Sequence, residues 1–141
     1  MTEESHPPFP GDWERTQLSN TGAWTVGHVW LDRTQGRYCM LVGPEHCNAF
    51  GAMHGGAMAT FVDAQVVAVR PYTGEVGNHT PTVTLSVDYL AGVRVGSWIM
   101  LTATVLRATR TMIFSQAVVT VGDAVVARTN AIYRNNTDKG A

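Results

Sequence analysis

The sequence predicts an α+β domain in which a six-stranded antiparallel sheet wraps around one long central helix. Three observations carry that expectation. Residues 55–70 form an almost wholly apolar stretch holding a single carboxylate, Asp63, and closed by Pro71. Two runs of β type precede the stretch and four follow it. The last three of those runs are joined by short turns, which makes them antiparallel neighbours. With 141 residues, the chain is one domain long enough to bury a core.

The elements follow in order. Residues 1–22 read as an acidic, Pro-rich lead-in, without the basic-then-apolar pattern of a leader. The domain is expected over residues 23–134, with a polar tail at 135–141. Strands are expected at 24–32 and 37–42, with Arg33-Thr34-Gln35-Gly36 as their hairpin turn. A loop over residues 48–56 leads into the helix. Pro71 cannot continue that helix and disfavours helical backbone just before it. Ala57, Met58, Phe61, Val62, Val66, Val67 and Val69 leave the helix almost no polar face. A helix apolar all round has to be covered on all sides. The sheet covers part of it, and a second copy of the chain is the natural cover for the rest. A connecting loop at 74–79 precedes strands at 82–90, 97–107, 112–121 and 124–133. Val121-Gly122-Asp123-Ala124 is a tight turn between the last two.

Composition excludes several function classes. A net charge of −1 argues against nucleic acid as the main partner, since such binding is driven by basic surface. No run of eighteen apolar residues offers a membrane span. Two cysteines, Cys39 and Cys47, make no disulfide framework and read as reduced thiols in a cytoplasmic protein.

Candidate chemistry concentrates around the helix start. Asn48, Gly51 and His54-Gly55-Gly56 precede the helix, and Asp63 follows within it. Free N–H groups at a helix start bind anions and polarised carbonyl oxygens, and glycines there let a ligand approach the backbone closely. A lone acid in an apolar helix is costly unless it has a partner or a task. Gly55 and Gly56 could equally permit close packing, and Asp63 could be a buried acid held by a donor.

That spacing, with this order of helix and strands, resembles the hotdog fold. In particular it resembles the PaaI/YdiI-like acyl-CoA thioesterases of the 4-hydroxybenzoyl-CoA thioesterase superfamily, over roughly residues 25–133. The resemblance implies hydrolysis of a thioester to a carboxylic acid and free coenzyme A. The carbonyl would be polarised by the Gly55 N–H and the Asn48 amide. Asp63 would act on water as general base or attack as nucleophile, two roles that the sequence leaves open. Thr82 matches the position of a Ser or Thr that helps hold the water. Strand alternation, however, groups Thr82 with Thr84, Ser86 and Asp88, opposite the apolar face of Val83, Leu85, Val87 and Tyr89. His54 would contact the thioester or hold the loop. Gly56, Phe50 and Met53 are candidates for the substrate slot. Arg107 and Arg110 are candidates for the coenzyme A phosphates, or simply arginines at a solvated turn. His46, Cys47 and His54 fit no common metal spacing, so no metal is expected. Nor is a cofactor, because coenzyme A enters as part of the substrate.

Gly55 and Asp63 lie eight residues apart, about 12 Å along one helix. A base must reach the attacking water by hydrogen bond, so one helix cannot easily supply both groups. Two antiparallel helices in a symmetric dimer can. The expected assembly is therefore a homodimer at minimum, extended to a homotetramer. Two other readings stay open: a hydratase or dehydratase on the same fold, and a non-catalytic acyl-CoA-binding protein. The second sits poorly with the presence of both Asn48 and Asp63.

Overall fold

The computed structural model describes residues 5–17, 26–69 and 80–135. Its strands are β1 (Glu14–Gln17), β2 (His28–Asp32), β3 (Arg37–Leu41), β4 (Thr82–Tyr89), β5 (Trp98–Ala108), β6 (Met112–Val121) and β7 (Ala124–Arg134). Between β3 and β4 lie helices α1 (Gly55–Asp63) and α2 (Gln65–Val69). The strands form one sheet in the order β1-β2-β3-β5-β6-β7-β4, with antiparallel neighbours throughout. Among the described residues no helix is long and apolar enough to cross a membrane.

The α+β class and the sheet around the helix are as expected, and among the described residues the strand count is seven instead of six. The added strand is β1, Glu-Arg-Thr-Gln, which pairs with β2 at the sheet edge. It has no apolar alternation to announce it. The segment before it is tied down from the sheet: the Arg37 guanidinium lies 4.7 Å from the Trp13 ring centre and donates to the Pro10 carbonyl. The Trp13 indole in turn donates to the Phe9 carbonyl at 2.8 Å.

The sheet curls over the helices and buries one side of them. Met58, Phe61, Val62, Val66, Ala68 and Val69 enter the core. Phe61 meets the Tyr38 ring edge-on at 5.0 Å, a favoured aromatic geometry. The opposite side of α1 is built of small residues, with Gly55 and Gly56 exposed and Ala59, Thr60 and Asp63 half-buried.

The helix differs from the single 55–70 rod that the apolar run predicts. It breaks at Ala64, whose φ of −79° and ψ of 6° depart from helical values, and Val67 N–H donates to the Ala64 carbonyl three residues back. The expected stop at Arg70 and Pro71, and the loop at 74–79, lie outside the described residues.

Candidate active site

The loop before α1 is built by its own side chains. Asn48 Oδ1 accepts from the N–H groups of Phe50 at 2.9 Å and Ala52 at 3.2 Å. Gly51 takes a φ of +75°, a conformation that favours glycine. The loop then pairs across to a second segment, with Met53 N–H donating to Val93 and Val95 N–H to Gly51. The Asn48 carbonyl oxygen is thus committed to the loop, and its amide nitrogen has no partner among the described residues.

His54 caps the helix. Its Nδ1 accepts the N–H of Gly56 at 3.0 Å, satisfying one of the orphan donors of the first turn. With Nδ1 accepting, the neutral ring carries its proton on Nε2. The two glycines divide by role. A side chain at Gly56 would press on the capping ring, with a Cβ only 3.1 Å from His54 Nδ1. A Cβ at Gly55 would meet only the Tyr89 ring and hydroxyl, at ordinary contact distances of 3.5–3.7 Å. Packing within the chain therefore explains Gly56 and not Gly55. The Gly55 N–H makes no hydrogen bond among the described residues, and the Gly55 carbonyl accepts from the Tyr89 hydroxyl at 2.7 Å. Beside it runs a groove of about 390 Å³, lined by Met53, Gly55, Met58, Tyr89, Leu90 and Val93. Phe50 stands at the loop tip, 84% exposed and outside that groove.

Asp63 sits at the other end of α1. Its Oδ1 accepts from the Thr82 hydroxyl at 2.8 Å. Strand alternation alone would turn Thr82 away, and a β-bulge reverses it. Thr82 pairs with Tyr133 and Thr84 with Ile132, so Val83 is the extra residue. Val83 is pushed outward, 51% exposed. Thr82 thereby joins Leu85 and Val87 on the face toward the helix.

Tyr133 lies beneath this pair and donates from its hydroxyl to the Asp63 main-chain carbonyl. Burial, and then the nearby Asp63 charge, push the Tyr133 hydroxyl well above the ordinary phenol range. Tyr38 is raised too, by burial first and then by Tyr133 and Asp63. Both phenols are therefore neutral donors at physiological pH.

The structure thus sorts the candidates into two half-sites. The donor half holds Asn48, His54, Gly55 and Met53, with Tyr89 behind them. The carboxylate half holds Asp63 and Thr82 over Tyr133. Arg107 and Arg110 are exposed at the β5–β6 turn. Register places that turn at the carboxylate end of the sheet, since Ile113 pairs with Tyr133 and Tyr133 with Thr82. One chain does not bring the halves together, because α1 separates them by about 12 Å. His46 does not join either half: its Nδ1 accepts from Gly43 N–H and its Nε2 faces the Val26 carbonyl. Among the described residues no three His, Cys, Asp or Glu side chains are grouped to hold a metal. Tyr89 and Tyr133 were both legible only as strand residues. The available signal was a hydroxyl on an otherwise apolar face, which needs a partner when covered.

Residues 50–127 match the thioesterase superfamily. Human acyl-coenzyme A thioesterase 13 is 34% identical over 76 residues, which span 54% of each protein. The chain thus spans about half the length of that relative. A Streptococcus mutans protein solved with acetyl CoA superposes with a TM-score of 0.64 at 22% identity, covering 71% of this chain and 79% of that one. A variant of phenylacetic acid degradation protein PaaI from Thermus thermophilus superposes with a TM-score of 0.62 at 16% identity, covering 72% and 86%.

Proposed function

Because the chain belongs to the thioesterase superfamily, with its hotdog fold, we propose that it is an acyl-coenzyme A thioesterase whose site is completed by a second copy of the chain. The observation that carries this reading is the division of the site along α1. A free N–H at Gly55 and a carboxylate at Asp63 occupy opposite ends of one helix. Neither performs hydrolysis without the other. Two antiparallel copies of α1 set each Gly55 beside the partner's carboxylate.

In that arrangement water attacks the thioester carbonyl carbon while Asp63 takes its proton. The hydroxyl of Thr82 steadies the carboxylate. The carbonyl oxygen becomes an oxyanion held by the Gly55 N–H and the Asn48 amide. Collapse of the intermediate breaks the C–S bond. Coenzyme A leaves as thiolate and recovers a proton, and the acyl group departs as a carboxylic acid.

Two features support the dimer. β4 ends the sheet and pairs only with β7 among the described residues, so its outer edge offers unpaired backbone groups to another strand. The exposed side of α1 is made of small residues, which lets a second helix approach closely. The bound acetyl CoA of the Streptococcus mutans structure supports coenzyme A as the carrier. Arg107 and Arg110 are the proposed phosphate contacts. Pairing of two dimers into a tetramer is part of the same proposal.

The test is thiol release from a panel of short, medium and aromatic acyl-CoAs, with Asp63→Asn as control. Release that depends on Asp63 supports the enzyme. Tight acyl-CoA binding without release indicates a binding protein instead. Asn48→Ala is expected to reduce kcat by about tenfold to a hundredfold, less than loss of a sole oxyanion donor. Some of that loss comes from the loop, because Asn48 Oδ1 also holds two backbone N–H groups. Steady-state kinetics beside a melting curve separates the two contributions.

A further inference from the structure

Three successive carbonyls at the end of α1 are taken by side chains. The Tyr38 hydroxyl donates to Phe61, the Gln65 amide nitrogen to Val62 at 3.0 Å, and the Tyr133 hydroxyl to Asp63. All three donors belong to buried residues, with exposures of 0%, 0% and 1%. Gln65 is fixed in turn: Ser115 donates to its Oε1 at 2.7 Å, and its Nε2 also reaches Thr129 Oγ1 at 3.3 Å. The Tyr133 hydroxyl takes the Asp63 carbonyl, which in a continuous helix would accept the N–H four residues on, and a side chain inserted into that ladder is a known cause of a break. The break falls at Ala64, next to the carboxylate. Alanine is the best of helix formers, so the propensity of Ala64 itself does not account for it.

We infer that Tyr38, Gln65 and Tyr133 are positioning residues, which seize the last carbonyls of α1, end the helix at Asp63 and aim its carboxylate at Thr82. A continuous helix would carry Asp63 on the regular spiral, with its carbonyl bonded to the N–H four residues on. The end of a helix also carries partial negative charge, and the three donors offset that charge beside the acid. This inference rests on the proposed thioesterase reading for its catalytic consequence and not for its structural one.

The experiment uses Tyr133→Phe in the full chain, which deletes the hydroxyl and keeps the ring, with Tyr38→Phe as the second variant. Two readouts are taken. The backbone carbon chemical shifts of Ala64 should move toward helical values in Tyr133→Phe, whatever the protein's activity. The kcat per folded site should fall about tenfold to a hundredfold with KM nearly unchanged, as expected for a misplaced catalytic group. Unchanged Ala64 shifts overturn the clamp. Altered shifts with kcat within twofold of wild type overturn its role in positioning, as does an equal change in kcat and KM. If Tyr133→Phe fails to fold, the same criteria apply to Tyr38→Phe. A wild-type protein that releases no thiol overturns the thioesterase reading, while the Ala64 shifts still decide the clamp.

Discussion

Asp63→Asn is expected to abolish nearly all thiol release. The amide keeps the shape of the carboxylate and can still accept from Thr82, whose hydroxyl lies 2.8 Å from Oδ1. It cannot take a proton from water. General-base catalysis contributes about 10²–10⁴-fold, so kcat should fall by that order. Acyl-CoA binding should largely survive, since the proposed contacts to coenzyme A lie at the β5–β6 turn. Folding should also survive, because the variant removes no apolar packing and leaves the Tyr133 bond to the main-chain carbonyl intact. Steady-state kinetics with calorimetric binding checks both halves of the expectation. Retention of more than a tenth of wild-type kcat would assign the base elsewhere.

Gly55→Pro is expected to lower kcat by about 10²–10³-fold, the usual effect of deleting one oxyanion donor, while leaving the fold in place. Gly55 is the first residue of α1, capped by His54 with extended backbone at φ −67° and ψ 137°. Proline is favoured at the first helical position, and extended backbone is what the residue before proline requires. The substitution therefore removes the N–H that the helix does not use. By narrowing the unfolded ensemble it should hold or raise stability, by about 0.4–1 kcal/mol at most. Gly55→Ala is the companion: it keeps the donor, and its Cβ fits against Tyr89. If Gly55→Ala loses as much kcat as Gly55→Pro, the loss comes from bulk at the carbonyl and not from the missing donor.

Much of the fold was legible because periodicity and turn residues acted together. Strands β5, β6 and β7 lie within a residue of their expected bounds, and the helix begins at Gly55 as its glycine-rich start implied. The misses have physical causes. β1 reads Glu-Arg-Thr-Gln and gains its place from edge pairing and from the Trp13–Arg37 contact, neither of which leaves a local pattern. The bulge at Val83 keeps the sequence looking like plain alternation while shifting Thr82 to the other face. The break at Ala64 comes from Tyr38 and Tyr133, 26 and 69 positions away in the chain, against local helix propensity. The candidate residues themselves stood out because polar groups and glycines interrupt an apolar run. Their separation into two halves followed from helix rise alone. What propensity could not supply was the layer of side chains beneath them, where hydroxyls from distant strands, with the Gln65 amide at the start of α2, set the backbone.

In the proposed dimer each site draws Gly55 from one chain and Asp63 from another. Mixing Gly55→Pro with Asp63→Asn tests it most directly. Each variant alone should be nearly inactive. A mixed dimer holds one site with both substitutions and one site with neither, so thiol release should return as subunits exchange, reaching about a quarter of wild-type activity in an equal, random mixture. That figure follows from half the dimers being mixed, with one of two sites intact. Exchange itself is followed by native mass spectrometry of the same sample. Mixed dimers that form and release no more thiol than their parents would contradict the shared site.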